Sequence, residues 1–312
     1  MAPPFLNFTP FMNRLSFIFF CVLYMVISIS SFANGITPDV QALACMTVIA
    51  LVGIPHGAID HILYLKMSPI KPWLFYSLYL LLMAVYLLCW FTIPVASMVA
   101  FMLLSAYHFG ESQLGVGAVH IGKLRTIAYL AWGCSILTGL VVYNYEELAA
   151  LFGQSQDLQI LMLAFPLLTY KIIFIFSTIL ICSILYYNYN HQVVSGTSLL
   201  RELYTLTLIH ITFYILPILP AFTLYFAILH SAGVLIEEFG FLRKSTTGLT
   251  VSKFALQLLP YTFVSLLGGS GLYLLIHYDL LKISYVFLAI VLISILTLPH
   301  SVVMNKFYQK SQ

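Results

Sequence analysis

Charged side chains are scarce in this sequence of 312 residues. Asp, Glu, Lys and Arg make up 7% of it, as 13 basic and 10 acidic residues, whereas soluble domains carry about 25%. So few charges cannot cover the surface of a water-soluble fold of this length. The formal net charge of +3 is also too small to indicate a nucleic-acid partner. The composition therefore excludes a soluble domain, a disordered chain and a nucleic-acid-binding module.

Cysteine is sparse as well, and its spacing excludes two further classes. The five cysteines lie singly within apolar runs, and none of them forms a C-x-x-C pair. Neither a zinc-binding motif nor the disulfide framework of a secreted protein is indicated. The sequence also lacks internal repeats, low-complexity tracts and any segment typical of a soluble domain. We therefore expect a single integral membrane domain over residues 1–312.

Apolar residues, in contrast, make up 62% of the chain. A membrane-spanning helix needs about 17–25 predominantly apolar residues. Pro94 divides the uncharged stretch 73–108 into two spans, and Pro217 and Pro220 divide 203–236 in the same way. The other six apolar runs lie at 15–33, 40–64, 126–143, 160–187, 254–276 and 283–303. These runs predict an all-α polytopic transmembrane bundle of about ten spans, or eight or nine if a short segment is re-entrant.

The charges between the spans predict the orientation of the bundle. If the N-terminus is cytoplasmic, eleven of the thirteen Lys and Arg fall in cytoplasmic segments, with Lys282 outside and Lys171 within the run 160–187. This bias is the one that the positive-inside rule describes. It places both termini in the cytoplasm and makes the acidic connection 144–158 external. We expect a multi-pass protein of the plasma or inner membrane.

Four of the nine histidines are predicted to lie at one depth. His56, His108, His230 and His300 fall on the second, fourth, eighth and tenth spans, which all run from outside to inside. With a rise of 1.5 Å per residue, their positions allow the four imidazoles to meet at one level. A single histidine within a membrane is more often a hydrogen-bonding group between helices. Four at one depth favour a metal site, and imidazoles without a nearby thiolate suit iron, copper or zinc.

Carboxylates accompany three of these histidines on the same helix face. Asp60, Glu111 and Glu237 follow the first three histidines at distances of four, three and seven residues. A histidine that binds a metal usually donates its other ring N–H to such a group. The three carboxylates are therefore candidate outer partners of the site. For Glu111, a cap or salt bridge at the helix end is an equal alternative.

The other polar and small residues within the runs are predicted to have structural roles. We expect His120, His191 and His277 to be solvated, and His210 to hydrogen-bond a neighbouring helix. Gly53 and Gly57 share a helix face and predict close packing of a neighbouring helix. The glycine-rich segment 268–271 predicts either the same close packing or a helix break that lines a substrate cavity.

Short motifs surround the four candidate ligands. Residues 53–61 read GIPHGAIDH, residues 107–111 read YHFGE, and Leu229-His230-Ser231 and Leu298-Pro299-His300 follow later in the chain. These motifs resemble the Brp/Blh family of membrane-bound β-carotene dioxygenases, and the similarity runs from about residue 56 to 300. The resemblance implies an Fe(II)-dependent enzyme that cleaves β-carotene at its central double bond with O₂ and yields two retinal molecules. It also implies that the carotenoid comes from the bilayer and that retinal is delivered to a rhodopsin apoprotein.

By this resemblance His56, His108 and His230 are iron ligands, and one further position departs from the family pattern. A second histidine often follows four residues after the one that corresponds to His230, and Val234 stands there instead. Three interpretations stay open at this point. His300 completes the shell, or three histidines and a water form it, or this member has lost or changed its activity.

Two rival functions are weighed against the dioxygenase. Lys171 could form a Schiff base, which would indicate a retinal- or carotenoid-binding photoreceptor or transporter; the long sixth span would instead let this lysine reach the outer surface. A di-iron desaturase or hydroxylase would need histidine pairs spaced H-x-x-x-H or H-x-x-H-H, and the sequence contains no such pair. Neither rival explains the four histidines at one depth.

Overall fold

The computed structural model describes residues 13–32, 37–115, 124–153 and 156–311. Within these ranges the chain is helical and contains no strand. The α-helices are α1 (Arg14–Phe32), α2 (Pro38–Val48), α3 (Asp60–Met67), α4 (Pro72–Thr92), α5 (Pro94–Leu114), α6 (Arg125–Tyr143), α7 (Tyr145–Gly153), α8 (Gln156–Ala164), α9 (Leu167–Asn190), α10 (Gly196–Ile215), α11 (Ile218–Leu224), α12 (Ala232–Ser245), α13 (Val251–His277) and α14 (Tyr285–Ser311). The prediction of an all-α bundle is confirmed.

Seven continuous helical stretches are long and apolar enough to cross a membrane. They are Asp39–Met67, Pro72–Thr92, Arg125–Tyr143, Leu167–Asn190, Ile218–Ser245, Val251–His277 and Tyr285–Lys310. These stretches indicate a membrane protein and are compatible with a polytopic helical bundle. Helices α1, α5 and α10, with 19 to 21 residues each, coincide with three further runs of the sequence. About ten spans and cytoplasmic termini remain predictions.

Proline places several helix starts where the sequence predicts them. Pro94 opens α5 directly after α4 ends at Thr92, because proline fits the first turn of a helix and cannot continue the one before it.

The predicted sixth span 160–187 is wrong in its bounds. The helix breaks at Phe165 and Pro166, so that α8 ends at Ala164 and α9 runs over Leu167–Asn190. The predicted external connection 144–158 contains the whole of the short helix α7 and the first turn of α8 rather than an open loop.

The tightest packing joins α5 and α6. A Cβ added to Gly133 would lie 1.8 Å from the backbone oxygen of Ala106, and one added to Gly110 would lie 2.0 Å from that of Tyr129. Only glycine permits backbones to approach this closely.

The glycine-rich segment 268–271 has neither of the two roles predicted for it, close helix packing or a helix break. Helix α13 continues through it, and a Cβ at Gly268, at Gly269 or at Gly271 would meet nothing within 4 Å, so both predicted roles are wrong.

Helix ends that carry lysine meet at one end of the bundle. Lys66 of α3 donates to the Ser245 hydroxyl at the end of α12 over 2.9 Å, and Lys310 of α14 donates to the Met67 carbonyl over 2.6 Å. The three helices therefore run in the same direction, as the predicted orientation requires.

His120, which the sequence predicts to be solvated, lies outside the described residues.

Two stretches leave the regular α-helix, and both carry candidate ligands. Between α2 and α3 the chain forms a π-helical turn at Ile49–Gly53 and a 3₁₀ turn at Ile54–Gly57, which contains His56. Between α11 and α12 a second π-helical segment, Tyr225–Ser231, contains His230. Such irregular turns often occur at functional sites because they redirect a side chain without ending the helix.

Candidate metal centre

The structure brings the four predicted histidines together inside the bundle. Their exposed fractions are 8% for His56, 2% for His108, 3% for His230 and 5% for His300. The ring centroids form a closed quadrilateral with sides of 4.8, 4.9, 4.9 and 5.2 Å, and neighbouring rings are nearly perpendicular. Each ring comes from a different part of the chain: the 3₁₀ turn, α5, the second π-helical segment and α14.

The ring nitrogens of three histidines lie close enough to serve a single ion. One nitrogen from each of His56, His108 and His230 can be chosen so that all three lie within 4.8 Å of one another. Two nitrogens bound to one ion can lie up to about 4.2 Å apart, twice a metal–nitrogen bond. Small ring rotations would therefore bring the three nitrogens to one ion. His300 is not within this set but packs against two of its rings.

The hydrogen-bond partners of His56 and His300 fix which ring nitrogen carries the proton. Nδ1 of His56 contacts the Gly53 carbonyl, which can only accept, so Nδ1 donates. Nδ1 of His300 donates to the Asp60 carboxylate over 2.9 Å, and the Tyr79 hydroxyl donates to the other carboxylate oxygen over 3.0 Å. In both rings Nε2 is left as the unprotonated nitrogen, which is the form that binds a metal.

A serine fixes the protonation of His230 in the same way. The Ser112 hydroxyl donates to the Phe109 carbonyl over 3.0 Å, so its single hydrogen is already used. Its oxygen, 3.0 Å from Nδ1 of His230, must therefore accept from that nitrogen. Nε2 of His230 is then unprotonated as well. Ser112 was not predicted from the sequence, because a serine four residues beyond a histidine on the same helix carries no recognisable signal.

Several buried ring nitrogens of the cluster lack hydrogen-bond partners. Among the described residues, Nε2 of His230, Nε2 of His300 and both ring nitrogens of His108 have no hydrogen-bond partner. A buried unpaired acceptor costs about 1–3 kcal/mol, so several within one cluster indicate an intended occupant. Neutral imidazoles with free lone pairs fit a first-row transition metal.

The three predicted carboxylates occupy different positions around this cluster. Only Asp60 bonds directly to one of the four rings, and its partner is His300 rather than His56 on its own segment. Glu111 accepts from Asn305 over 2.8 Å and from Tyr107 over 3.2 Å, which ties α5 to α14. Glu237 accepts from the Tyr308 hydroxyl over 3.2 Å.

Two neighbouring features were not predicted. Glu238 is fully buried, and neither carboxylate oxygen has a hydrogen-bond partner within the described ranges. A polar cavity of about 140 Å³ lies beside the cluster, and its lining includes Ser112, His230 and Glu237. This cavity connects Glu237 to the histidine cluster without a direct hydrogen bond between them.

Comparison with known proteins assigns the chain to a family. Residues 47–308, which include all four histidines, match the family model described as beta-carotene 15,15'-dioxygenase. The chain belongs to this family. A relative from an uncultured marine bacterium, 66A03, named beta-carotene 15,15'-dioxygenase, is 26% identical over 113 residues, which are 35% of this chain and 40% of the relative. The match thus spans less than half of that relative, and no solved structure matches this chain.

Within this β-carotene dioxygenase family member, Val234 has a clear structural role. It is 2% exposed and packs in an apolar cluster that includes Leu242 and Met304. An aliphatic side chain cannot bind a metal, so the fourth imidazole of the cluster comes from His300 instead. The sequence resemblance alone could not show whether His300 supplies the imidazole that is missing at position 234.

The remaining singled-out residues lie away from the cluster. Nε2 of His210, on α10, is hydrogen-bonded to the Ser135 hydroxyl of α6 over 3.1 Å. This contact between two helices is the role that the sequence predicts for His210. His191 and His277 are exposed. Lys171 is exposed in the second turn of α9, and an exposed position does not provide the enclosed apolar pocket that a Schiff-base lysine needs.

Proposed function

We propose that this protein cleaves β-carotene at its central double bond with O₂ and releases two retinal molecules, using an Fe(II) ion held by His56, His108, His230 and His300. The observation that carries the proposal is the convergence of four buried imidazoles, three of which have Nδ1 occupied as a donor. The family supports the carotenoid as substrate.

The choice of iron rests on the donor set and the reaction. Imidazole nitrogens bind iron, copper and zinc, and a redox-active ion is needed because O₂ does not react readily with a closed-shell alkene. When bound, Fe(II) would supply the electrons that activate O₂. The overall reaction is balanced without a proton: one C=C bond and one O₂ become two C=O groups, and one oxygen atom goes to each product.

The residues of the chain would therefore orient the site rather than transfer protons. The Gly53 carbonyl, the Ser112 hydroxyl and the Asp60 carboxylate each hold one ring by its Nδ1–H. This arrangement fixes the ring planes and leaves Nε2 as the free nitrogen of each of these rings. Glu111 and Glu237 would support the site more remotely, through α14 and through the polar cavity.

An aromatic wall would guide the hydrocarbon to the metal. The Phe226 ring stacks on His230 at 5.4 Å and on Phe222 at 5.2 Å, and it meets the His56 ring edge-on at 5.5 Å. Gly53 leaves room for it, since a Cβ there would lie 2.7 Å from the ring. Both phenylalanines are only partly buried, so this wall leads from the buried rings towards the lipid-facing surface. A polyene can stack on such rings.

The location follows from the substrate. β-Carotene is a hydrocarbon that dissolves in the bilayer, and a helical bundle with large exposed apolar surfaces can receive it directly from lipid. We propose the plasma or inner membrane as the site of action. Retinal is also lipid-soluble, and we propose a rhodopsin apoprotein as its acceptor.

The test is production of retinal in cells that accumulate β-carotene. Expression of the chain should bleach the cells and yield retinal by chromatography, and the purified protein should contain one iron per chain. His56→Ala and His108→Ala should abolish retinal while the protein still inserts, and His191→Ala, at an exposed position, should not change it. Retinal formation by either of the first two variants would contradict the metal site. Longer aldehyde products would contradict cleavage at the central bond.

A further inference from the structure

Basic side chains without acidic partners cover one end of the bundle, where α3, α12 and α14 end and α13 begins. Seven residues form this basic surface: Lys66, Lys71, Arg243, Lys244, Lys253, Lys306 and Lys310. In the described part of the chain no ion pair joins any of them to a carboxylate. The acidic residues of the same helices are enclosed or occupied, since Asp60 and Glu238 are buried and Glu237 accepts a hydrogen bond from α14. The basic surface therefore carries an unbalanced positive charge.

Three of these lysines meet at the turn that follows α3. Lys310 of α14 donates to the Met67 carbonyl over 2.6 Å, and Lys306, one helical turn earlier, donates to the neighbouring Ser68 hydroxyl. Lys66 directly precedes Met67 and is exposed. Because like charges at short range repel each other, an anion at this turn would stabilise the arrangement. The partners that the turn itself supplies, a carbonyl and a hydroxyl, are both neutral.

The connection between α12 and α13 adds a further lysine and a further hydroxyl to this surface. Lys66 donates to the Thr246 hydroxyl, and Lys253 donates to the Gly248 carbonyl over 3.2 Å. The hydroxyls of Ser68 and Thr246 thus accept from lysines, and neither has an acceptor for its own hydrogen within the described ranges. Ammonium groups and hydroxyl hydrogens together match the oxygens of a phosphate group.

Apolar surface adjoins these charges. Helix α13 begins at Val251, and Val251, Leu256 and Leu259 are exposed. This helix is long and apolar enough to cross a membrane, so its exposed side chains face lipid. A ligand that matches both parts of the surface combines an anionic head group with hydrocarbon chains, as an anionic phospholipid does. A free phosphate or a nucleic acid matches only the charge.

We propose that the basic surface binds the head group of an anionic phospholipid, whose acyl chains lie along α13. The ammonium groups of Lys66, Lys306 and Lys310 attract the phosphate, and the hydroxyls of Ser68 and Thr246 donate to its oxygens. The lipid balances a charge that the chain leaves unbalanced, and it bridges the ends of α3, α12 and α14. The site is separate from the carotenoid reaction, so the inference does not depend on the proposed function.

Phosphatidylglycerol and phosphatidylcholine form a matched pair of probes, because they can share acyl chains and differ in net charge. Native mass spectrometry of the full chain in neutral detergent counts the lipids bound per chain across a titration. Wild-type protein should bind phosphatidylglycerol about tenfold more tightly than phosphatidylcholine. Lys66→Gln and Lys310→Gln, both at exposed positions, should each lower the phosphatidylglycerol affinity about fivefold. Lys282→Gln, exposed beyond the opposite end of α13, removes the same charge and should bind like wild type.

Two further measurements separate a lipid from a soluble anion and charge from packing. Glycerol 3-phosphate, which carries the phosphate without acyl chains, should not displace bound phosphatidylglycerol at equal concentration. Lys66→Arg keeps the charge and should retain most of the affinity. Displacement by glycerol 3-phosphate would indicate a soluble anion and overturn the proposal. Equal affinity of wild type for the two lipids, or unchanged phosphatidylglycerol binding when Lys66, Lys306 and Lys310 are all replaced by Gln, would overturn it as well.

Discussion

Replacement of His300 is the most informative perturbation of the histidine cluster. This ring packs 4.8 Å from the His56 ring and 4.9 Å from the His108 ring, and its Nδ1–H bonds to Asp60. His300→Ala removes one unprotonated Nε2 from the cluster and one of the two hydrogen bonds that Asp60 accepts. The Tyr79 hydroxyl remains as the other donor to that carboxylate.

Two separable losses should result from His300→Ala. Loss of an outer hydrogen-bonding partner of a metal ligand costs about 10–100-fold in metal affinity, and loss of a ligand itself should cost at least as much, about 1.4–2.8 kcal/mol. Loss of a hydrogen bond to the buried carboxylate should lower the free energy of unfolding by about 1.5–3 kcal/mol. A ligand produces both effects, whereas a merely structural residue produces only the second.

The assay measures bound iron per chain across a series of free Fe(II) concentrations, together with retinal formation and thermal unfolding. Free imidazole should restore iron binding and part of the activity to His300→Ala, because the lost ring leaves a cavity of its own shape. An iron titration identical to that of wild type, with only the unfolding temperature lowered, would refute His300 as a ligand.

Three further outcomes are expected. Ser112→Ala should lower iron affinity about 10–100-fold without unfolding the protein, because the imidazole that it holds loses its orientation; iron titration checks this, and an unchanged affinity would count against the assigned hydrogen bond. Gly133→Ala should lower the free energy of unfolding by about 3 kcal/mol, because its Cβ would overlap the backbone of α5; in Gly269→Ala, the control in open space, thermal unfolding should not change or should rise slightly. Lys171→Ala should leave the absorbance spectrum and the rate of retinal formation unchanged, and a shifted chromophore would favour the photoreceptor alternative instead.

The sequence is most informative where composition and proline determine the outcome. Long uncharged runs can only be helices in lipid because every backbone group must be satisfied within the segment. Pro94 marks a helix start for the same local reason. The break at Phe165 and Pro166 was missed because proline can also lie inside a helix, as Pro260 and Pro299 do here.

The four histidines could be predicted because they share one depth, but their partners could not. Spacing along one helix places Asp60 on the face of His56, yet the turn between α2 and α3 is not a regular α-helix, and Asp60 bonds to a ring on α14. A contact across 240 residues leaves no trace in local spacing. Glu111 does not bond to His108 either: Asn305 and Tyr107 both donate to its Oε1, and its Oε2 has no hydrogen-bond partner among the described residues.

The donor pattern also explains why the cluster needs buried polar partners. An imidazole with both nitrogens free can place its proton on either one, and a proton at Nε2 would oppose a cation at the centre. Holding the proton at Nδ1 of His56, His230 and His300 removes that freedom before any ion arrives. Without an ion the bundle must bury several unpaired acceptors, at about 1–3 kcal/mol each. The same arrangement that destabilises the empty cluster therefore favours ion binding by an equivalent amount, so the affinity of the site and the stability of the surrounding helices are coupled.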